Sequence, residues 1–343
     1  MKRCFTLAKN GLGSTYPNPL VGALLVVDNA IIAEGWHQKA GAPHAEVNAI
    51  AQIKDPTLLE KATLYVNLEP CCHFGKTPPC TQLIIDKKIP RVVISNLDPN
   101  PLVAGKGVAI LKHKGIDVVT GVLASEGLYL NRRFFTFHTK NRPFIFLKWA
   151  QTKQGFIAPK IMPAKQAPVW ISNASTQVWT HQLRAENQAI LIGTNTALKD
   201  NPSLTTRKWH GANPTRILID KDLKVPDTAS IFSDEAFTII CNKLKSAKNN
   251  HVEYIQIDFS KPLPPQITSI LYNKGIQSLI VEGGANTIQQ FINTNYWDEA
   301  YKIIGQSTFI EGIHAPALAV DIPINTTFKI DTDFIEHYFN PTA

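Results

Sequence analysis

The first 140 residues alternate between two apolar periods. Leu20-Val21-Gly22-Ala23-Leu24-Leu25-Val26-Val27 is apolar throughout and predicts a buried strand, and Asp28-Asn29 turns it into a second strand over residues 30–35, a hairpin. Val47, Ile50, Ala51 and Ile53 recur at helical spacing and predict a helix over 44–53. Strands follow at 63–68, 91–95 and 117–119, with helices at 81–88 and 108–114, the latter closed by Gly115. Strands alternating with helices predict an α/β three-layer sandwich.

A break is expected at 132–143, where Arg132-Arg133-Phe134-Phe135 leads to Asn141-Arg142-Pro143. Phe144-Ile145-Phe146-Leu147-Lys148-Trp149 then opens a second sheet. Further strands are expected at 189–193, 215–220, 237–241, 252–257, 278–281 and 299–304, with helices between them, for example at 173–184 and 286–293. The chain therefore divides into domains 1–142 and 143–343. Its 343 residues agree with that, since about 150 residues is a common domain size.

Hydrophobic content of 44% and charged content of 18% describe an ordinary globular protein. No run approaches the roughly 18 apolar residues of a membrane span, and Met1–Gly11 is too broken for a signal-peptide core, so a cytoplasmic protein without a membrane partner is expected. The net charge of +8 is uneven: residues 1–142 hold 17 Lys/Arg against 10 Asp/Glu, and residues 143–343 hold 18 against 17. A basic first half suits an anionic substrate, a nucleic acid or merely a soluble surface, and charge does not choose among them.

Chemistry enters with the cysteines. Five in a chain without an export signal argue against a disulfide framework, and Cys71, Cys72 and Cys80 crowd into ten residues. Upstream, His44-Ala45-Glu46 follows Pro43, a residue favoured at a helix start. Cys71 follows the strand-ending Glu69-Pro70, and Cys80 opens a helix, whose N-terminus favours the thiolate that zinc requires. His44, Cys71 and Cys80 make the three protein ligands of a catalytic zinc with the fourth position left for water, and Glu46 stands beside them. Cys72 or His73 as a fourth ligand of a closed structural site, and Cys72 in place of Cys71, are the alternatives. Cys4 and Cys241 read as small apolar residues.

This pattern resembles the zinc nucleobase deaminases, whose signature is H-x-E followed by P-C-x-x-C. There the metal lowers the pKa of water from about 15.7 toward about 7, and the Glu, which is no ligand, carries protons to the ring nitrogen and the leaving amine. Eight residues separate Cys71 from Cys80 where that signature has two, so Cys72-His73-Phe74-Gly75-Lys76-Thr77-Pro78-Pro79 is an inserted loop. The longer spacing, together with Thr15-Tyr16-Pro17-Asn18-Pro19-Leu20-Val21-Gly22 and His37 before Gly41, is similar to the bifunctional riboflavin-biosynthesis deaminase-reductases over nearly the whole chain.

The resemblance implies a cytidine-deaminase-like sandwich followed by a dihydrofolate-reductase-like domain, hence a hydrolase joined to an oxidoreductase. The implied cofactors are one Zn²⁺ and NADPH, and the implied substrate is 2,5-diamino-6-ribosylamino-4(3H)-pyrimidinone 5′-phosphate. Catalytic Glu46 and substrate contacts at Asn18, His37, His73 and Lys76 are implied in the first domain. In the second, the resemblance implies cofactor contacts at Ala150, Trp170, Thr196, Asp200, Gly284, Ala285, Asn286 and Thr287. It implies substrate contacts at Arg184, Leu204, Arg207 and Glu282, and it leaves open a homo-oligomer through the reductase domain.

Independent of any family, Leu279-Ile280-Val281 running into Glu282-Gly283-Gly284 lets a phosphate approach backbone N–H groups at a helix start, although no G-x-G-x-x-G is present. Arg184 and Arg207 are two of only three arginines in this half, and guanidinium suits a ribose phosphate. Two positions depart from the family pattern: K-x-A-x-S-L-D-G becomes Lys148-Trp149-Ala150-Gln151-Thr152-Lys153-Gln154-Gly155, and a Ser before the Trp motif becomes Pro168. Lys148 is the candidate proton donor of the reduction. A nucleic-acid deaminase is disfavoured because the basic residues are scattered rather than striped with aromatics, and a non-enzymatic binding protein because the His44/Glu46/Cys71/Cys80 set is intact.

Overall fold

The computed structural model describes residues 1–73, 78–101, 103–160 and 169–342. The chain forms two compact units, Met1–Asn141 and Arg142–Ala343. Lys76 and Pro168 lie outside the described residues. Among the described residues, no helix is long and apolar enough to cross a membrane.

The first unit is built on five strands: β1 (Gly22–Val27), β2 (Ala30–Trp36), β3 (Thr63–Leu68), β4 (Arg91–Asn96) and β5 (Asp117–Val119). Their order in the sheet is β2-β1-β3-β4-β5, with β1 antiparallel to both neighbours and β3, β4 and β5 parallel. Six helices accompany them: α1 (Lys2–Lys9), α2 (Ala45–Ile50), α3 (Cys80–Asp86), α4 (Lys106–His113), α5 (Ala124–Leu130) and α6 (Arg132–Lys140). The core joins Ala23, Leu25, Leu64, Val66, Val92 and Ile94 of the sheet to Ala45, Ala49, Ile84 and Leu111 of the helices.

Three stretches differ in detail from the sequence pattern, while the two units divide after Asn141. The N-terminal segment is a helix, α1, which buries Cys4, Phe5, Leu7 and Ala8 against the sheet. It passes so close to β1 that a Cβ at Gly22 would stand 2.2 Å from the Cys4 carbonyl oxygen. The break expected at 132–143 is mostly helix: α6 buries Arg133, Phe134 and Thr136 and ends at Asn141, whose φ of +54° is the left-handed conformation that stops helices. The helix expected over 44–53 is also shorter, because His44 is its N-cap and Ala51 its C-cap.

The second unit carries β6 (Phe144–Gln151), β7 (Phe156–Pro159), β8 (Ala189–Gly193), β9 (Thr215–Ile219), β10 (Thr238–Asn242) and β11 (Ala247–Lys248). It continues with β12 (Val252–Gln256), β13 (Ser278–Val281), β14 (Glu299–Ile304), β15 (Gly312–His314), β16 (Ile324–Ile330) and β17 (Asp333–Phe339). Its helices are α7 (Ala174–Ala185), α8 (Thr194–Asp200), α9 (Leu263–Asn273) and α10 (Ala285–Asn293). Ten strands form one sheet in the order β11-β12-β10-β9-β8-β13-β6-β14-β17-β16, and β7 pairs separately with β15. From β12 to β14 all neighbours are parallel, which requires both faces to be covered and explains the apolar runs Phe144–Leu147 and Ala189–Ile192. Ile145, Leu147, Leu191, Leu279 and Val281 face one core, and Phe144, Phe146, Ile190, Ile192 and Ile280 face another.

Candidate active sites

In the first unit, the chemistry gathers where β3 ends and α2 and α3 begin. The carboxylate of Glu69, buried at 4% exposure, accepts backbone N–H bonds from Asp98 (3.2 Å), Gly105 (2.8 Å) and Val108 (3.0 Å). That ties Glu69-Pro70-Cys71 to the start of α4, where a Cβ on Gly107 would stand 2.4 Å from the Pro70 carbonyl oxygen. The Cys71 carbonyl in turn accepts from the Thr81 N–H at 3.1 Å and the Thr81 hydroxyl at 3.2 Å, which fixes α3 against it. The loop bearing one sulfur and the helix bearing the other are thus locked together.

His44, Cys71 and Cys80 offer ligand atoms that all lie within 4.8 Å of one another. His44 Nδ1 is 3.2 Å from Cys80 Sγ and 3.5 Å from Cys71 Sγ, and the Cys80 N–H donates to Cys71 Sγ at 3.3 Å. A tetrahedral zinc with N at about 2.0 Å and S at about 2.3 Å needs N···S separations near 3.5 Å, so the donor set fits that ion. Cys72 and His73 do not belong to the group. Cys71 is held well below the usual thiol range, first because Cys80 hydrogen-bonds to its thiolate and then because His44 does, against burial. Cys80 correspondingly keeps its proton. Two thiols and an imidazole sharing protons are a donor set suited to a divalent cation.

Glu46 lies in the first turn of α2, two residues after His44, and is 3% exposed. Burial, above all, pushes its pKa up. His37 is also buried, with its ring edge-on to His44 at 5.6 Å. Since the Pro43 carbonyl accepts from Nδ1 at 3.1 Å, Nε2 is the acceptor for the Asn18 amide at 3.0 Å, and burial keeps the ring neutral. Asn18 and His37 therefore form a bonded pair at the rim of the cluster. His73 is exposed.

Sequence reasoning passed over Asp98, whose pKa rises to about 6, chiefly through burial; His73 counters that rise, while Glu69 and Cys71 add to it. Its only signal was its place after β4, at the same end of the sheet as Cys71.

In the second unit, the turns after β8 and β13 abut at their glycines. A Cβ on Gly193 would stand 2.7 Å from Thr287 Oγ1, one on Gly283 would stand 3.2 Å from the Gly193 nitrogen, and one on Gly284 would stand 3.3 Å from Thr196 Oγ1. Bare backbone at that point leaves an open cleft of about 470 Å³ lined by Thr196 and Gly284–Thr287, with Gly193, Lys221 and Lys224 further along. It opens at the N-terminus of α10, where free N–H groups and the helix dipole suit a pyrophosphate. The expected cofactor residues Ala150, Trp170 and Asp200 do not line this cleft. Ala150 pairs with Ile303 across β6 and β14, Asp200 ends α8, and Trp170 is 53% exposed with Lys208 Nζ 5.7 Å from its ring centre.

Beside the cleft, Glu282 ends β13 and meets two cations from neighbouring elements. Arg184 Nη2 donates to Oε2 at 2.8 Å, and Lys148 Nζ on β6 stands 3.9 Å from Oε1. Burial alone would raise the Glu282 pKa, but Arg184 and then Lys148 outweigh it and bring it to about 2. Lys148 is pushed below its usual range by burial, which Glu282 opposes. Arg207 is exposed and donates to Ser203 Oγ at 3.1 Å. Leu204 is buried in the core with a left-handed φ of +56°. The third arginine, Arg216, is fully buried and spent on the Thr238 hydroxyl, Ser233 and the Ala236 carbonyl, a structural role. Gln154 sits on the exposed turn between β6 and β7, where Thr152 accepts the Phe156 N–H through its hydroxyl.

Comparison with known proteins places each half of the chain in a family. Residues 1–96 match the family of the cytidine and deoxycytidylate deaminase zinc-binding region, and residues 143–326 match the RibD C-terminal domain. The chain is 41% identical to riboflavin biosynthesis protein RibD of Aquifex aeolicus over 325 residues, covering 93% of this chain and 90% of that one. It is 36% identical to the RibD of Synechocystis over 322 residues, covering 92% and 86%. Among solved structures it resembles a diaminohydroxyphosphoribosylaminopyrimidine deaminase/5-amino-6-(5-phosphoribosylamino)uracil reductase from Thermotoga maritima, with a TM-score of 0.88, 37% identity and coverage of 99% and 97%. RibD of Acinetobacter baumannii gives a TM-score of 0.87 at 30% identity, with coverage of 98% and 97%.

Proposed function

The chain belongs to the RibD family of bifunctional riboflavin-biosynthesis deaminase-reductases, which use zinc and NADPH, and on that premise we propose which residues carry each half-reaction. Met1–Asn141 is the deaminase and Arg142–Ala343 the reductase. The substrate is 2,5-diamino-6-ribosylamino-4(3H)-pyrimidinone 5′-phosphate, and the deaminated product, 5-amino-6-(5-phosphoribosylamino)uracil, is the substrate of the second step. The observation that carries the first assignment is the His44/Cys71/Cys80 cluster with the buried Glu46 in the first turn of the helix that His44 caps.

His44, Cys71 and Cys80 would hold the zinc, which would supply a nucleophile by lowering the pKa of water from about 15.7 toward about 7. Glu46 takes the proton from that water as oxygen bonds to the ring carbon bearing the 2-amino group. It gives that proton to the ring nitrogen, and the second proton of the same water follows through the same carboxylate to the amine, which leaves as ammonia as the carbonyl forms. Asn18 and His37 position the pyrimidine at the rim, the exposed His73 binds toward the substrate's phosphate, and Lys76 is a further substrate contact by resemblance to the family.

In the second unit, Thr196 and Gly284–Thr287 would hold the pyrophosphate of NADPH, which would supply the hydride for C1′ of the ring-opened imine. Arg184 and Arg207 bind the phosphate ester, the Leu204 backbone borders it, and Glu282 orients Arg184. Lys148, whose burial lowers its pKa and so makes it a stronger acid than a free lysine, gives a proton to the imine nitrogen as C1′ is reduced. Ala150, Trp170 and Asp200 reach the cofactor outside the glycine cleft. The substrate is a small molecule, and nucleic acid is not a partner.

Two readouts on one sample test the assignment. Supplied with the diaminopyrimidinone phosphate, the protein releases one ammonia and oxidises one NADPH per turnover, and omitting NADPH leaves ammonia release intact. Ammonia release without any NADPH oxidation would overturn the reductase assignment, and with it the view that an exposed Gln154 leaves that site intact.

A further inference from the structure

Helix α7 presents Gln177, His181 and Arg184 at i, i+4 and i+7, a single stripe. Both ends of that stripe are anchored to the segment 203–208 or to Glu282. Lys208 Nζ donates to Gln177 Oε1, Arg184 Nη1 donates to the Thr205 carbonyl at 3.3 Å, and Arg184 Nη2 donates to Glu282. His181 lies between these anchors, 3% exposed, with a buried Nδ1 that has no hydrogen-bond partner. A buried ring nitrogen left unpaired costs on the order of 1–3 kcal/mol, so its persistence beside a site calls for a ligand atom. The charges acting on the ring are Arg184, Arg207 and Lys208 against Glu282, an excess of positive charge that suits an anion.

We propose that His181 is a further substrate contact of the reductase site, its Nδ1–H donating to the phosphate ester that Arg184 and Arg207 bind. The proposal rests on the assignment of those two arginines made above. Burial first, then Arg184 and Arg207, hold the His181 pKa at about 4, so the ring is neutral at pH 7. A neutral donor adds a directed bond to the phosphate without a fourth cation in a cluster that already holds three.

The test is steady-state NADPH oxidation by the full-length protein, with 5-amino-6-(5-phosphoribosylamino)uracil and with its dephosphorylated counterpart. His181→Leu raises KM for the phosphorylated compound about tenfold, the worth of a hydrogen bond to a charged group, and changes kcat less than twofold. His181→Asn, whose amide nitrogen falls near the position of Nδ1, recovers most of that loss. With the dephosphorylated compound all three proteins have the same KM. Should His181→Leu fail to fold, His181→Gln, which moves the polar atom away from the Nδ1 position, gives the same rise. An unchanged KM, an equal loss with both compounds, or an Asn variant no better than Leu overturns the proposal. Arg207→Gln is the control: if it raises KM while the His181 variants do not, only the His181 role falls, and if it leaves KM unchanged, the phosphate assignment falls too.

Discussion

Replacing Glu46 with Gln slows ammonia release about 10³- to 10⁴-fold while NADPH oxidation on the deaminated substrate stays within twofold of the parent. Gln matches the carboxyl in volume and keeps a hydrogen-bonding oxygen, so the buried pocket at the start of α2 has no reason to collapse. What it cannot do is accept a proton from water and pass it to the ring nitrogen and the departing amine. General acid–base catalysis of this kind contributes up to about four orders of magnitude, and here one side chain performs both transfers. Zinc content is unchanged in this variant, because Glu46 is no ligand. Single-turnover ammonia assays beside metal analysis separate the two effects, and full turnover by the variant would refute the role.

A second large effect falls on the other half of the chain. Glu282→Gln lowers the rate of NADPH oxidation at least about 10²-fold, since a misplaced site group costs that much, and leaves ammonia release alone. The variant also strips the counter-charge from Lys148 and Arg184, both nearly buried at 14% and 12% side-chain exposure. The linkage has a definite sign. Glu282 titrates at about 2 in the folded protein against 4.5 ordinarily, so its ionisation stabilises the fold fully above about pH 4.5. That contribution is lost as pH falls through about 2. The displacement corresponds to at most about 3 kcal/mol, and the burial cost of Lys148 reduces it further. Denaturant midpoints of parent and variant therefore differ most at pH 7, begin to draw together below about pH 4.5 and converge only near about pH 2. A difference independent of pH would place the stabilisation somewhere other than the carboxylate.

The parts of this molecule that were readable in the chain are those where one physical demand dominates. Parallel strands covered on both faces must be apolar throughout, and 144–149, 189–193 and 278–281 announce themselves accordingly. His44, Cys71 and Cys80 were readable because metal coordination demands particular atoms, and the fold gathers those three. By contrast, β16 and β17 escaped notice because their burial runs against hydrophobicity: β17 buries Asp333, Ile335 and His337 and leaves Phe334 43% exposed. Helix α1 was weighed only as a leader segment, although Cys4, Phe5 and Ala8 already had helical spacing. The buried Glu69 could not have been foreseen, since its partners are backbone N–H groups 29 to 39 residues away, which carry no side-chain signal. The same holds for His181, whose meaning depends on a helix face meeting residues 203–208 and 282.

The central claim, that an imidazole and two sulfurs grip a catalytic metal beside Glu46, is tested most directly by X-ray absorption at the zinc edge on active, purified protein. One zinc per chain is expected, with two sulfurs at about 2.3 Å and nitrogen or oxygen neighbours at about 2.0–2.1 Å. A shell of three or four sulfurs, or full deaminase activity in protein that holds no zinc, would contradict it.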